Sequence, residues 1–459
     1  MTLDQIKNIY FIGAGGIGMS ALVRYFLSLQ KNVGGYDRTQ STLTEKLIEE
    51  GALIHYEDEV ENIPALFTQK EDTLIIYTPA IPKDNKELLY FHKNGFLLYK
   101  RSQVLGLITK SLKGLCVAGT HGKTTTSTML AHLLHASNVG CNAFLGGISH
   151  NYHTNLLLDN TSPYAVIEAD EFDRSFHYLH PYISIITSAD PDHLDIYGNE
   201  KAYKESFEHY SSLIEEDGVL IIKEGVELNL QLQEGVRKLT YSVDKGDYHA
   251  ENITIENGEI HFDFVGPETR INRINLGVPI YVNIENSIAA IAVALLCGVQ
   301  AEEIKQAVSS FKGIERRFDF VLRDDKHTLI NDYAHHPEEV KRSIESVRQL
   351  YSNKKITVIF QPHLYTRTQE FYKEFADSLS LADTIVLLDI YPARELPIEG
   401  VSSNLIYDNI KKDKVKYLSD KENICNLIEH INSQVILTLG AGDINLLMPK
   451  MKETLQNIG

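Results

Sequence analysis

Short apolar runs alternate with amphipathic segments along most of this chain. The runs at 9–12, 73–77, 114–118, 165–168, 183–187, 356–360, 384–388 and 435–439 predict buried strands. The segments between them, such as 20–29 and 124–134, place apolar residues three and four apart and predict helices. Strand–helix alternation of this kind predicts an α/β fold with parallel sheets flanked by helices. One stretch differs. Residues 237–285 alternate polar and apolar positions around Asn257-Gly258, which predicts antiparallel strands joined by a tight turn. Two boundaries follow, one near 111–114 before a new strand and one near 313–317, where a helix at 302–311 ends. They divide the 459 residues into segments 1–111, 112–314 and 315–459, in keeping with about 150 residues per domain.

Two of the predicted strands run directly into glycine turns. The first turn, Gly13-Ala14-Gly15-Gly16-Ile17-Gly18, lies between a strand and a helix. Gly13 permits the tight turn, Gly15 lets the backbone approach a diphosphate, and Gly18 allows close helix packing. A diphosphate there meets the free N–H groups of the helix start, and Asp37 follows at the distance expected of a ribose-binding acid. NAD and a UDP-sugar both carry a diphosphate, so the motif leaves the ligand open. The second turn is sharper. Gly119-Thr120-His121-Gly122-Lys123-Thr124-Thr125 follows a strand and opens a helix. Backbone N–H groups here cradle the phosphates of ATP, Lys123 neutralises the β/γ charge, and the Thr124 hydroxyl holds Mg²⁺. The spacing is GxxGKT; Val117 stands where the broader pattern has its first glycine. A dehydrogenase has no need of the second turn and a simple kinase none of the first. An ATP-driven ligase acting on a nucleotide-linked substrate needs both.

Acids follow the next two strands, in Glu168-Ala-Asp170-Glu171-Phe-Asp173 and Asp190-Pro-Asp192-His193. Both segments fall at the ligand edge of a parallel sheet, where Glu168 pairs naturally with Thr124 as oxygen donors for Mg²⁺. His193 is open to two readings, a metal ligand or a hydrogen bonder that orients its loop. The net charge of −18 excludes a nucleic-acid or membrane-surface binder, which needs a basic stripe. It leaves anionic substrates possible, because a local site can oppose the global sign. No apolar run is long enough to insert in a membrane, and the polar, acidic start lacks the basic region of a signal peptide. Cys116, Cys141, Cys297 and Cys425 are scattered without metal or disulfide spacing, as expected of free thiols in a reducing cytoplasm.

These motifs, together with ERRFDF (315–320), NDYAHHPEEV (331–340), FQPHLYTRT (360–368) and YPARELPIEG (391–400), resemble the Mur ligase family over essentially the whole chain. The resemblance implies three domains. They are an N-terminal Rossmann-like domain for a UDP-sugar, a central P-loop sheet with an antiparallel subdomain for ATP, and a C-terminal Rossmann-like domain for ATP and amino-acid contacts. It implies ligation of L-alanine to the lactyl carboxylate of UDP-N-acetylmuramate through an acyl phosphate, in peptidoglycan precursor synthesis. The nearest alternative is a sibling ligase that attaches a recovered tripeptide to the same nucleotide sugar. A nicotinamide-dependent oxidoreductase would leave the second turn idle. By resemblance, Gly13, Gly15, Gly16, Gly18 and Asp37 bind the UDP-sugar, and Thr124, Glu168 and His193 hold Mg²⁺. ATP contacts map to Gly119, Thr120, Gly122, Lys123, Thr124, Thr125, Asn283, Arg317 and Asp332, with Asn286 one helical turn beyond Asn283. Catalytic roles map to Lys123, Arg317, His335, His363 and Arg367, with Tyr333 beside them. The expected state is a cytoplasmic monomer or homodimer whose C-terminal domain closes on the central one. Leu364 and Val282 depart from the family pattern, which usually has Arg and His there.

Overall fold

The computed structural model describes residues 6–256, 258–393, 395–431 and 433–458. Among them the strands form four sheets. β1 (Asn8–Ile12), β2 (Asn32–Tyr36), β3 (Leu53–His55), β4 (Thr73–Tyr77) and β5 (Leu97–Lys100) make a parallel sheet ordered β3-β2-β1-β4-β5. A second sheet contains β6 (Lys113–Ala118), β7 (Asn142–Ser149), β8 (Thr154–Leu157), β9 (Tyr164–Ala169), β10 (Pro181–Ile186), β11 (Val219–Lys223) and β12 (Arg237–Tyr241). Its order is β12-β11-β10-β6-β9-β7-β8, parallel except where β8 runs against β7. β13 (His249–Glu256), β14 (Glu259–Val265) and β15 (Arg270–Asn275) form a three-stranded sheet. The last sheet has β16 (Asp319–Arg323), β17 (Thr328–Asp332), β18 (Ile356–Phe360), β19 (Thr384–Leu387), β20 (Val415–Leu418) and β21 (Val435–Leu439), in the order β16-β17-β21-β18-β19-β20. Only the edge strand β16 is antiparallel to its neighbour.

The predicted strands appear within a residue or two of their expected limits, because each is a short, mostly apolar run that is largely buried. The stretch 237–285 requires correction at both ends. Residues 237–241 form β12, which pairs in parallel with β11 at the edge of the large sheet. An edge strand has one solvated side, so it shows the same alternation as a hairpin. At the other end, Tyr281–Leu296 is a helix that buries Ile284, Ile288 and Ile291 at helical spacing. The middle of the stretch does form adjacent strands, and connections as short as those between β13, β14 and β15 join only antiparallel neighbours. Asn257 of the expected turn lies outside the described residues.

The chain divides into two compact units. The first comprises residues 1–253, 262–277 and 282–312, and the second 254–261, 278–281 and 313–459. The first unit therefore holds both the five-stranded and the seven-stranded sheet. They share one apolar core in which Phe11 and Phe26 belong to the same cluster as Phe144, Leu156 and Phe207. The helix Ile17–Ser28 makes the junction. Its Tyr25 ring meets Phe144 edge-on at 5.4 Å. Its Arg24 donates to Asn155 Oδ1 at 2.5 Å, while Asn155 Nδ2 donates to Ile17 O at 2.6 Å. This junction sets the first glycine turn against the second sheet.

A titratable cluster is buried on the other face of the first sheet. Tyr10 OH donates to Glu87 Oε2 at 2.7 Å and lies 2.7 Å from His55 Nε2. Burial pushes the Glu87 carboxyl up to about 8. The folded protein therefore retains a proton on Glu87 that the unfolded chain releases near pH 4.5. Stability from this group is complete at low pH and falls as pH rises through about 8. Glu87→Gln keeps the shape and removes the titration. The variant is expected to gain about 1–3 kcal/mol over the native chain at pH 9 and little at pH 5. Thermal denaturation at both pH values checks this; an equal change at both would refute it.

Candidate functional site

Several of the sequence-predicted sites lie at the carboxyl edge of a parallel strand, whereas Asn283 and Arg367 lie on helices and Arg317 precedes the antiparallel β16. β1 ends at the first glycine turn, β6 at the second, β9 at Glu168, β17 at Asp332, and β18 just before His363. In open α/β sheets the loops leaving this edge are the ones free to bind ligands.

At the first turn Gly13 has φ +90°, in the region that favours glycine, and its N–H bonds Tyr36 O at 2.8 Å. Asp37 Oδ2 accepts the Gly15 N–H at 2.7 Å, so the expected ribose acid also braces the turn. The glycines are needed for reasons beyond those expected. A Cβ on Gly15 would stand 2.6 Å from Thr44 Cγ2 and 2.9 Å from Asp37 Oδ2. A Cβ on Gly18 would stand 2.5 Å from the Arg101 guanidinium; that close approach is to a cation, not to a strand. Gly16 meets nothing closer than 3.6 Å.

At the second turn Gly119 (φ +137°) and Gly122 (φ +80°) bend the chain into the helix Lys123–His135. Lys123 Nζ donates to Gly119 O at 2.5 Å and pairs with Glu171 at 2.7 and 3.0 Å. Glu171 is 2% exposed and Lys123 13%. Burial raises the Glu171 carboxyl and the lysine lowers it, with burial the larger effect. The Thr120 hydroxyl bonds Asp190 O at 2.7 Å and Tyr203 OH at 2.8 Å, while Thr187 Oγ1 donates to His121 O. Thr120 thus helps tie the turn to the loop after β10. Thr125 is half-buried on the first helical turn. Asn286 accepts from Thr126 Oγ1 at 3.2 Å and donates to Asn283 Oδ1 at 3.0 Å. This carboxamide pair on the helix Tyr281–Leu296 supports the same turn from behind.

Thr124 Oγ1 donates to Glu168 Oε1 at 3.1 Å. Two hard oxygen donors side by side beside a phosphate-binding turn suit Mg²⁺. His193 has φ +52°, packs its ring edge-on to Phe172 at 5.2 Å and lies 3.8 Å from Asp192 Oδ2. Asp173 and Arg174 also have positive φ, near +52° and +55°. Non-glycine residues held in this region concentrate strain in the two acidic loops, as at many binding sites. A cavity of about 270 Å³ opens between the first glycine turn and the segment 168–170. Gly16, Gly18 and Arg101 line one side, and Gly146, Glu168 and Asp170 the other.

The second unit gathers another group. Arg317 is exposed over the Tyr333 ring at 5.4 Å, whereas Arg316 is half-buried and donates to Gly442 O at 2.8 Å. Asp332 accepts from Ser343 Oγ at 2.8 Å and from the Phe318 N–H at 3.2 Å, and burial raises its carboxyl above the usual range. The His335 and His363 rings lie 5.9 Å apart. His335 Nδ1 contacts Tyr333 O at 2.9 Å, and Glu339 Oε2 accepts the His335 and His336 N–H groups. His363 stacks on Tyr391, and Arg367 Nη1 lies 3.5 Å from its Nδ1. Leu364, where the family usually has Arg, caps the helix Tyr365–Leu379 at φ +73°. A branched residue there costs on the order of 1–3 kcal/mol in strain.

Burial lowers both histidines, with His363 brought down to about 4. Proximity to His335 and Arg367 adds to the lowering of His363. Both are neutral at pH 7 and able to accept a proton. Their acid limb is expected below pH 6.5, toward 4. The unfolded chain takes up protons first, so the same interval also costs stability. A kcat/KM profile tests this; an acid limb that stays at 6.5 and ignores His363→Gln would remove the pair from the reaction.

Sequence reasoning missed Arg101, Glu171 as the partner of Lys123, and Gly146. Glu171 lies in a segment already marked by its acids. Arg101 and Gly146 carry no local motif and are drawn in only by the packing of the two sheets.

Family models match three consecutive stretches: the Mur ligase family catalytic domain over residues 8–112, the Mur ligase middle domain over 117–294, and the Mur ligase glutamate ligase domain over 316–442. The UDP-N-acetylmuramate–L-alanine ligase of Phocaeicola vulgatus is 61% identical over 98% of both chains. That of Parabacteroides distasonis is 58% identical over 99% of this chain and 98% of its own. The solved structure of UDP-N-acetylmuramate–alanine ligase from Thermotoga maritima gives a TM-score of 0.83 at 29% identity, covering 98% of this chain and 100% of that one. With the motifs, the sheet order and these full-length similarities in agreement, the chain belongs to the Mur ligase family.

Proposed function

We propose that this protein joins L-alanine to the lactyl carboxylate of UDP-N-acetylmuramate, converting ATP to ADP and phosphate. One observation carries the reading. The cavity beside the first glycine turn is also lined by Glu168, whose carboxylate accepts from Thr124 of the second turn. A nucleotide sugar held at the first turn therefore extends toward the phosphates held at the second. Relatives named for this activity, similar over the full length, support the same choice.

The carboxylate is a poor electrophile. Its oxygen attacks the γ-phosphorus of ATP, the bond to the β-γ bridging oxygen breaks, and ADP leaves. The alanine amine then attacks the acyl carbon, and phosphate departs from the tetrahedral intermediate as the nitrogen loses its proton. The protein's work in the first step is positioning and charge neutralisation. Lys123 leaves Glu171 to meet the β/γ oxygens, and Arg317 serves the γ-phosphate. Thr124 and Glu168, with His193 by family analogy, would hold Mg²⁺, which supplies further neutralisation of phosphate charge. Asn283 serves the adenine and Asp332 the ribose. Neutral His335 or His363 takes the amine proton. Arg367 pairs with the alanine carboxylate in a fork geometry. Segment 1–111 serves as the UDP-sugar domain, 112–314 as the central ATP domain and 315–459 as the domain for ATP and amino-acid contacts, in a cytoplasmic enzyme.

Phosphate release measured with ATP and UDP-N-acetylmuramate, adding L-alanine or the tripeptide in turn, tests the proposal. Release stimulated by L-alanine is the expected result. Stimulation by the tripeptide alone would assign the sibling reaction, and no release with any combination would exclude a ligase.

A further inference from the structure

The lysine of the second turn has no donor to spare. An ammonium carries three N–H groups. Lys123 Nζ donates to Gly119 O at 2.5 Å, to Thr120 O at 3.4 Å and to Glu171 Oε1 at 3.0 Å. Glu171 Oε2 lies 2.7 Å from the same nitrogen, and the Glu171 side chain is 2% exposed. The other groups around this carboxyl bring it no second positive charge. Asp170 adjoins it and is acidic. Tyr197 OH donates to the Glu171 carbonyl, and Tyr203, which bonds the Thr120 hydroxyl, faces the carboxyl from the helix Glu200–Ser211. Burial raises both phenols, so they stay neutral. Arg174 is turned to the Tyr197 ring, 4.6 Å from its centroid. Lys123 is the one cation that contacts Glu171 among the described residues.

We propose that ATP and Glu171 compete for Lys123, and that Glu171 takes one proton from solvent when ATP wins. The inference rests on the reading of the second turn as the ATP site and adds a proton to its binding step. A phosphate oxygen can reach Lys123 only by displacing an acceptor it already has. Gly119 O and Thr120 O belong to the turn itself, so the acceptor that gives way is Glu171. Its carboxylate is then buried, without its cation, beside an arriving polyanion. A buried charge in that position is neutralised at less cost than it is kept. The proton enters through the space the lysine vacates and becomes the O–H of the Glu171 carboxyl, while Lys123 stays an ammonium throughout. When the products leave, Lys123 returns and the proton goes back to solvent. Burial already raises this carboxyl with the lysine in place, and loss of the lysine moves it further in the same direction. The ATP-bound form holds more protons than the empty one, so ATP binding weakens as pH rises.

The test is calorimetric titration of the full chain with MgATP, in phosphate and in Tris at matched pH between about 6 and 8, which reads the protons exchanged per ATP. The native chain is expected to take up as much as about one proton more than Glu171→Gln. Its ATP affinity is expected to fall more steeply with pH, by up to about tenfold per unit. Glu171→Gln keeps the shape and removes the competing charge, so it is expected to bind ATP about 3- to 10-fold tighter at the upper end of that range. A merely structural role for Glu171 would alter neither the proton count nor the slope. Infrared difference spectra read the same proton in the native chain without any variant. Adding ATP is expected to bring up the C=O band of a protonated carboxyl. Equal proton counts in the native chain and Glu171→Gln, with both binding MgATP, would overturn the proposal and leave the ATP site intact. Absence of the carboxyl band in the native chain would overturn it too, whether or not the variant folds. A native chain that binds no ATP would bring down the reading of the second turn as well.

Discussion

Lys123→Ala is expected to abolish phosphate release that depends on UDP-N-acetylmuramate, a loss of at least about 10³-fold in kcat. The lysine is a preorganised positive charge at the point where charge builds up on the transferring phosphoryl group. The backbone of the turn supplies donors but no full charge to replace it. The substitution also strips the cation from Glu171, which is 2% exposed. Breaking a buried pair costs about 3–5 kcal/mol when the remaining charge stays ionised. Burial already raises the Glu171 carboxyl, so it takes up a proton instead and the cost is smaller. Lys123→Ala combined with Glu171→Gln separates the two effects. The double variant is expected to regain the native melting temperature and stay inactive. Full activity in Lys123→Ala would end the assignment of the second turn to ATP.

Gly146→Ala is expected to weaken Mg²⁺ about 10- to 100-fold and to reduce kcat at subsaturating metal by a comparable factor. Gly146 lies in β7 and lines the cavity beside Glu168. A Cβ there would stand 2.0 Å from Glu168 Oε2 and 2.7 Å from its carboxyl carbon. Real side chains do not approach so closely, so the carboxylate must swing away from Thr124. The phosphate turn itself remains in place, and ATP binding measured without metal is expected to be unchanged. Mg²⁺ titration of activity distinguishes this from general damage, because excess metal should restore most of the rate. A variant with native metal dependence would show that Glu168 is not held by Gly146.

The elements and the candidate site were legible in the sequence to different degrees. Strands β4, β18 and β21 match their predicted limits because each is a short run of mostly apolar residues whose side chains are almost all buried. The alternation in 237–241 misled, since an edge strand and a hairpin present the same solvated face. The second glycine turn was readable as a turn between strand and helix because Gly119 and Gly122 adopt the positive φ that favours glycine, and its reading as a phosphate site stays a proposal. The first turn was readable as a tight glycine turn, yet the partners that make Gly15 and Gly18 necessary, Asp37, Thr44 and Arg101, lie on separate elements. His335 and His363 stood out only by resemblance. Their neutrality comes chiefly from burial, with nearby Arg367 adding to it, and neither is written in a local pattern.

By itself the sequence determined the strand and helix succession, the two glycine turns and the acidic loops, because hydrophobic period and turn chemistry are set by adjacent residues. Only the tertiary structure decided that β1 to β5 and β6 to β12 share one core, and thus that one cavity joins Gly18, Arg101 and Glu168. It also decided which acid neutralises which base. Lys123 meets Glu171, and Arg101 meets Asp170, across chain separations of 48 and 69 residues. A charged group pairs with whatever the packing of sheets and helices brings within a few ångströms, and sequence separation carries no information about that distance.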